Sequence, residues 1–112
     1  MGDEIAIVEQ HALARALGRR SLAMLRSGAT MGGLWLASEV RRLDAEATGG
    51  MDHVQPETLP LTEQRAIGAV LRGLEARFEK LGRTRALEEL VRIRGRLATT
   101  EAKWVRRGRE WR

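Results

Sequence analysis

The chain concentrates Arg and Trp side chains near its C-terminal end, where they could bind an anionic partner. Trp104 and Trp111 lie seven residues apart and therefore share one face of any continuous helix. Arg contacts phosphates or carboxylates, and Trp stacks on bases or anchors protein interfaces. The candidate partner-binding residues are Arg92, Arg96, Lys103, Trp104, Arg106, Arg107, Arg109, Trp111 and Arg112. A simpler alternative is that Trp104 packs against the preceding helices and the last turn frays.

A second pattern lies at residues 10–21, where small and apolar residues precede a glycine. The run Leu13-Ala14-x-x-Leu17-Gly18 resembles the first helix and turn of a helix-turn-helix DNA-binding motif. It departs from that motif at Arg19, where an apolar residue is usual. The alternative is an ordinary core helix rich in Ala and Leu. The resemblance implies that DNA would be contacted by Arg19, Arg20 and Arg26.

The residue types of the chain offer little support for a catalytic site or a metal site. The chain has no Cys, and its two histidines, His11 and His53, have no cluster of further ligands at zinc-binding spacing. No serine stands in a nucleophile elbow, and the glycine-rich segment 28–33 lacks the Lys and hydroxyl residue of a phosphate-binding loop. Neighbouring acids such as Glu88 and Glu89 are typical of a solvated helix face. We therefore expect no enzyme activity, no cofactor and no metal.

The charge is distributed unevenly along the 112 residues. The net charge is +5, but residues 61–112 carry fourteen Lys and Arg against seven Asp and Glu, which gives +7. This asymmetry favours an anionic partner for the C-terminal half, either nucleic acid or an acidic protein surface. No uncharged stretch approaches the roughly 20 apolar residues that a membrane-spanning helix needs. We expect a cytoplasmic protein with no membrane span, within a larger complex or a homo-oligomer if it assembles.

Apolar periodicity predicts that these residues stand on helices. Residues 1–47 predict a helix from about Asp3 to Leu17, a second piece at 19–26, a loop at 27–33 and a third helix at 34–47. Gly18 either ends the first helix or only weakens it. Glycines and prolines at 48–60 predict a linker. Residues 61–112 predict a basic helical hairpin and tail. No segment alternates as a strand does.

The hairpin at 61–112 has the clearest signals. Thr62 and Thr84 are predicted N-caps, and Gly82 is a predicted helix stop. The short connection between the helices requires an antiparallel pair. Gly68 and Gly95 are predicted to mark close helix–helix approaches. The apolar stripes are Ile67, Val70, Leu71, Leu74, Phe78 and Leu81 on the first helix, and Leu90, Leu97, Trp104 and Trp111 on the second.

These patterns predict a single all-α domain over residues 1–112, a small bundle of about four helices that binds rather than catalyses. The leading functional hypothesis is a nucleic-acid-associated protein or accessory subunit that holds phosphates through its C-terminal Arg. The alternative is a protein–protein module, such as an assembly subunit, adaptor or inhibitor, that docks through an apolar helical stripe. A third alternative is a basic helix lying on a membrane surface.

Overall fold

Four α-helices make up nearly all of the described structure. The computed structural model describes residues 2–48 and 59–110, with side chains at 6–44 and 59–99. The helices are α1 (Gly2–Arg26), α2 (Thr30–Thr48), α3 (Leu61–Lys80) and α4 (Thr84–Glu110). No strand occurs in the described ranges. The predicted all-α bundle of about four helices is confirmed, and residues 49–58 of the predicted linker lie outside the described residues.

The turn between α3 and α4 is built around Gly82, whose φ of +67° is readily adopted only by glycine. The Gly82 amide donates to the Glu79 carbonyl at 3.0 Å, and the Arg83 amide donates to the Phe78 carbonyl at 2.9 Å. This pair of bonds is the Schellman motif, which closes a helix and reverses the chain. The predicted antiparallel C-terminal hairpin is therefore confirmed.

The turn between α1 and α2 repeats the same motif. Gly28 has a φ of +91°, its amide donates to the Leu25 carbonyl at 3.2 Å, and the Ala29 amide donates to the Met24 carbonyl at 2.9 Å. The protein therefore consists of two helical hairpins that end in equivalent glycine turns.

Glycines at the start of α2 allow it to lie close against α1. A Cβ added at Gly33 would come within 2.6 Å of Leu25 Cγ and 3.1 Å of the Ser21 carbonyl oxygen. The Ser21 hydroxyl also donates to the Gly33 carbonyl at 2.7 Å across this contact. The predicted close approaches at Gly68 and Gly95 are wrong, because a Cβ at Gly95 would meet nothing within 4 Å and one at Gly68 would make only ordinary contacts.

The two hairpins dock so that α2 runs parallel to α3. The Gly32 amide donates to a carboxylate oxygen of Glu63 at 3.0 Å, which places the start of α2 beside the start of α3. Further along α2, Glu39 binds Arg96 of α4, which runs antiparallel to α3. It follows that α1 runs parallel to α4.

One apolar core joins the four helices and includes Trp35, whose side chain is fully buried on α2. Most of the predicted α3 stripe is buried, but Leu81 is 56% exposed because the chain leaves the helix there. The buried apolar residues are Leu13, Ala16, Leu17, Met24, Trp35, Leu36, Leu43, Leu59, Ile67, Leu71, Leu74, Phe78, Ala86, Leu90, Ile93 and Leu97.

Of the two alternatives predicted at Gly18, the break is wrong, because α1 continues through this residue to Arg26. A glycine inside a helix costs only about 1 kcal/mol, and buried residues on both sides of Gly18 offset that cost. The helix-turn-helix resemblance requires a turn at Gly18, so it fails here. Arg19, Arg20 and Arg26 belong to the same helix as the residues before them, and none lies on a separate recognition helix.

Both predicted N-caps are also wrong. Helix α3 begins at Leu61, after Pro60 in the N-cap position, and no side chain caps it. Leu59, inside the predicted linker, is fully buried, and its carbonyl accepts a hydrogen bond from the Gln64 amide group at 2.6 Å. Thr62 therefore lies within the first turn of α3 and does not cap it.

A carboxylate from α1 binds the first turn of α4 in place of the predicted Thr84 cap. The buried Glu9 accepts a hydrogen bond from the Arg85 amide at 2.9 Å. A negative charge is favourable at this position because unpaired amides at a helix N-terminus carry partial positive charge.

Candidate binding groove

Two of the nine predicted partner-binding residues have described side chains, and both are in ion pairs within the bundle. Arg92 donates to Glu89 at 2.6 Å, and Arg96 donates to both carboxylate oxygens of Glu39 at 2.9 and 2.8 Å. The backbone of α4 places Lys103, Trp104, Arg106, Arg107 and Arg109 on its last turns, but their side chains lie outside the described residues. Trp111 and Arg112 lie outside the described residues altogether.

Glu39 is the centre of an ionic network that links α2 to α4. Its side chain is 0% exposed and binds Arg42 Nε at 2.9 Å as well as Arg96. Arg42 also donates to Glu89 at 3.1 Å, and Glu89 binds Arg92. Glu89 is therefore buried, contrary to its predicted place on a solvated face.

The environment of Glu39 keeps its carboxylate ionised. Burial raises the pKa of this carboxyl, but hydrogen bonds from Arg96 and Arg42, together with their positive charges, outweigh burial and lower the pKa below its ordinary value of 4.5. The ion pair of Arg96 with Glu39 links α4 to α2 within the fold. The predicted role of Arg96 in binding a partner stays a prediction.

Another set of cations surrounds an open groove between α1, the end of α3 and the α3–α4 turn. We call it the basic groove. Its volume is about 290 Å³. It is lined by Val8, Ala12, Arg15, Ala16, Arg19, Arg77, Phe78, Leu81 and Arg83.

The four arginines of the basic groove have no acidic partner among the residues whose side chains the structure describes. No ion pair connects Arg15, Arg19, Arg77 or Arg83 with any other residue whose side chain is described, and no acidic residue lines the groove. An adjoining pocket of about 390 Å³ shares Arg77 and Leu81 and adds Lys80. Within the described residues the groove is therefore a site of uncompensated positive charge.

The floor of the basic groove is apolar. Val8, Ala12 and Ala16 follow one another at four-residue spacing on α1, and Leu81 lies opposite on the α3 side. Val8 and Leu81 are each 56% exposed, so a large part of their surface faces solvent within the groove. An apolar floor with positive walls binds molecules that carry both apolar groups and negative charge.

The described residues offer no catalytic constellation beside this groove. No group of three or more His, Asp or Glu side chains among them could hold a metal ion. No described helix combines the length and apolarity needed to cross a membrane.

Sequence reasoning missed the basic groove because it treated α1 as two pieces. On one uninterrupted helix, Val8, Ala12, Arg15 and Arg19 share a face, and this spacing is visible in the sequence. Arg77 lines the groove only because the two hairpins dock against each other. No local sequence pattern predicts that docking.

Comparison of the chain with protein-family models, with curated proteins and with solved structures found no match.

Proposed function

We propose that this chain is a non-enzymatic binding protein that docks onto an acidic segment of a partner protein through the basic groove. One observation carries the proposal: four arginines without ion pairs in the described structure surround an apolar floor that contains no carboxylate.

Unpaired cations around an apolar surface suit recognition better than stability. The other cluster of arginines, on α2 and α4, is bound to Glu39 and Glu89 and holds the hairpins together. Among the residues with described side chains, the arginines of the basic groove form no such ion pair. Cations at the rim of an interface speed encounter with an acidic partner and fix its orientation.

The groove favours a protein partner over nucleic acid, the leading hypothesis from the sequence. Binding of single-stranded nucleic acid uses exposed aromatic rings on which bases stack. Within the part of the chain whose side chains are described, the aromatic residues Trp35 and Phe78 are both buried. The exposed groups of the groove floor are the aliphatic side chains of Val8 and Leu81, which suit apolar side chains of a protein.

Charge reversal in the groove tests this function. The variant Arg15→Glu/Arg19→Glu changes two groove cations, and Arg65→Glu/Arg72→Glu makes the same change at two exposed α3 positions outside the groove. The probes are a fluorescent peptide containing Glu and Leu, a DNA duplex and a single-stranded RNA, each titrated at low and physiological salt. We expect the groove variant to bind the peptide about tenfold more weakly or worse, while the control variant changes little.

Equal losses in the two variants would mean that net charge alone drives binding, and the groove would have no special role. Tighter binding of either nucleic acid than of the peptide, abolished by the groove variant, would assign the groove to nucleic acid and contradict the proposal. Circular dichroism of each variant confirms that the helices remain folded.

A further inference from the structure

We infer that the occupant of the basic groove is an acidic amphipathic α-helix of the partner, which lies along α1 with its apolar face on the groove floor. This inference rests on the proposed function and adds the conformation of the bound segment.

The length of the groove matches a short helix. From Val8 to Arg19 the α1 wall covers eleven residue steps, or about 16 Å at 1.5 Å per residue. Helices that dock in grooves present apolar anchors at positions i, i+3 or i+4, and i+7, which cover about 10 Å. Two to three turns of a partner helix therefore fit along the floor.

The shape of the floor also suits a helix. Ala12 and Ala16 have short side chains at the middle of the α1 side of the floor, so a partner backbone can approach closely there. Val8 and Leu81 project more apolar surface, and each is 56% exposed. Short side chains at the centre of the floor, beside larger apolar ones, leave room for the apolar anchor side chains of a second helix to interdigitate.

The positive charges lie on both walls of the groove. Arg15 and Arg19 are one helical turn apart on α1, while Arg77 and Arg83 come from α3 and the α3–α4 turn. A helix with carboxylates on each side of its apolar stripe places negative charge against both walls. A second copy of this chain is a poor occupant, because each copy carries a net charge of +5.

Two peptides of identical composition test the inference. Both contain about 20 residues of Leu, Glu, Ala and Gln, long enough to form a helix in water or on binding. In the ordered peptide the Leu residues share one helical face and Glu lies on both flanks, and in the permuted peptide the Leu residues are spread around the helix. We expect the ordered peptide to bind about tenfold more tightly than the permuted one and to gain helical circular dichroism on binding.

Matched variants locate the binding site. Val8→Ser/Leu81→Ser removes the exposed apolar groups of the groove, and Val91→Ser removes an apolar side chain of similar exposure, 53%, on α4 outside the groove. We expect the groove variant to bind the ordered peptide about tenfold more weakly and to bind the permuted peptide with unchanged affinity. The Val91 variant should bind both peptides with unchanged affinity.

The outcomes separate the two proposals. If both peptides bind equally and Arg15→Glu/Arg19→Glu weakens both, the groove binds acidic segments without regard to helical structure, and only this inference is overturned. If neither peptide binds at low salt, the proposed function fails together with it. If the ordered peptide binds but Val8→Ser/Leu81→Ser leaves its affinity unchanged, the helix docks elsewhere and the inference is wrong.

Discussion

Replacing Arg96 by Met removes two charged hydrogen bonds from a carboxylate that water does not reach. Arg96 donates to both oxygens of Glu39 at 2.9 and 2.8 Å, and the Glu39 side chain is 0% exposed. Hydrogen bonds to charged groups are worth about 1.5–3 kcal/mol each. Arg42 keeps its bond to Glu39, and the Arg96 side chain is 33% exposed, so water can reach part of the gap. We therefore expect Arg96→Met to lower the free energy of unfolding by about 2–3 kcal/mol.

Urea denaturation at pH 7, followed by circular dichroism, measures this loss. Arg85→Met is the matched control on the same helix, because Arg85 pairs with Glu88 at 3.6 Å on the exposed surface. An exposed pair of this kind contributes about 0–1 kcal/mol. A loss in Arg96→Met no larger than in the control would refute the reasoning that the buried pair holds α4 against α2.

The pH dependence gives a second, independent check. Because the pKa of Glu39 is lower in the folded protein than in the unfolded chain, the pair stabilises the fold fully above about pH 4.5. That stabilisation is lost as the pH falls through the folded-state pKa. The difference in unfolding free energy between the original protein and Arg96→Met should therefore be constant near neutral pH and shrink in acid. If the difference in unfolding free energy grew as the pH falls, it would contradict the conclusion that Glu39 is ionised in the folded protein.

Three further changes test the packing and the helix ends, each by urea denaturation. Phe78→Ala empties a buried site in the core and should cost about 3–5 kcal/mol; a smaller loss than about 1 kcal/mol would mean that the site is not tightly packed. Gly33→Ala should destabilise the first hairpin, because the new methyl group overlaps a neighbouring Leu side chain. The new methyl group of Gly73→Ala meets nothing within 4 Å, so this substitution should raise the free energy of unfolding by about 0.5–1 kcal/mol. Glu9→Gln removes the negative charge that binds the first turn of α4 and should cost about 1 kcal/mol, and faster amide hydrogen exchange at Arg85 should accompany it.

The second hairpin was predictable because its signals are local. Apolar residues from Ile67 to Phe78 follow helical spacing, and Gly82 stands at the position where the Schellman motif needs a left-handed residue. The same kind of signal at Gly18 was misleading. A glycine ends a helix only where the packing around it does not continue. At Gly18 the packing does continue, because Leu17 and Ser21 are buried on either side of it.

The ionic links between the hairpins could not be predicted from single-residue patterns. Glu39 and Arg96 are 57 residues apart, and nothing near either of them indicates a buried pair. Half of the basic groove was visible as a face of α1 that combines Val8 and Ala12 with Arg15. The other half, at the end of α3, joins that face only through the docking of the hairpins, which long-range packing decides.

The two glycine turns have a consequence for the order in which the chain folds. Each hairpin closes through contacts between near neighbours, whereas the polar links between hairpins join residues from 31 to 76 positions apart. Closing long loops costs more entropy, so the hairpins form early and their docking comes late. A link that is absent from the transition state affects only the rate of unfolding. In stopped-flow measurements, Arg96→Met should therefore accelerate unfolding and leave the refolding rate almost unchanged.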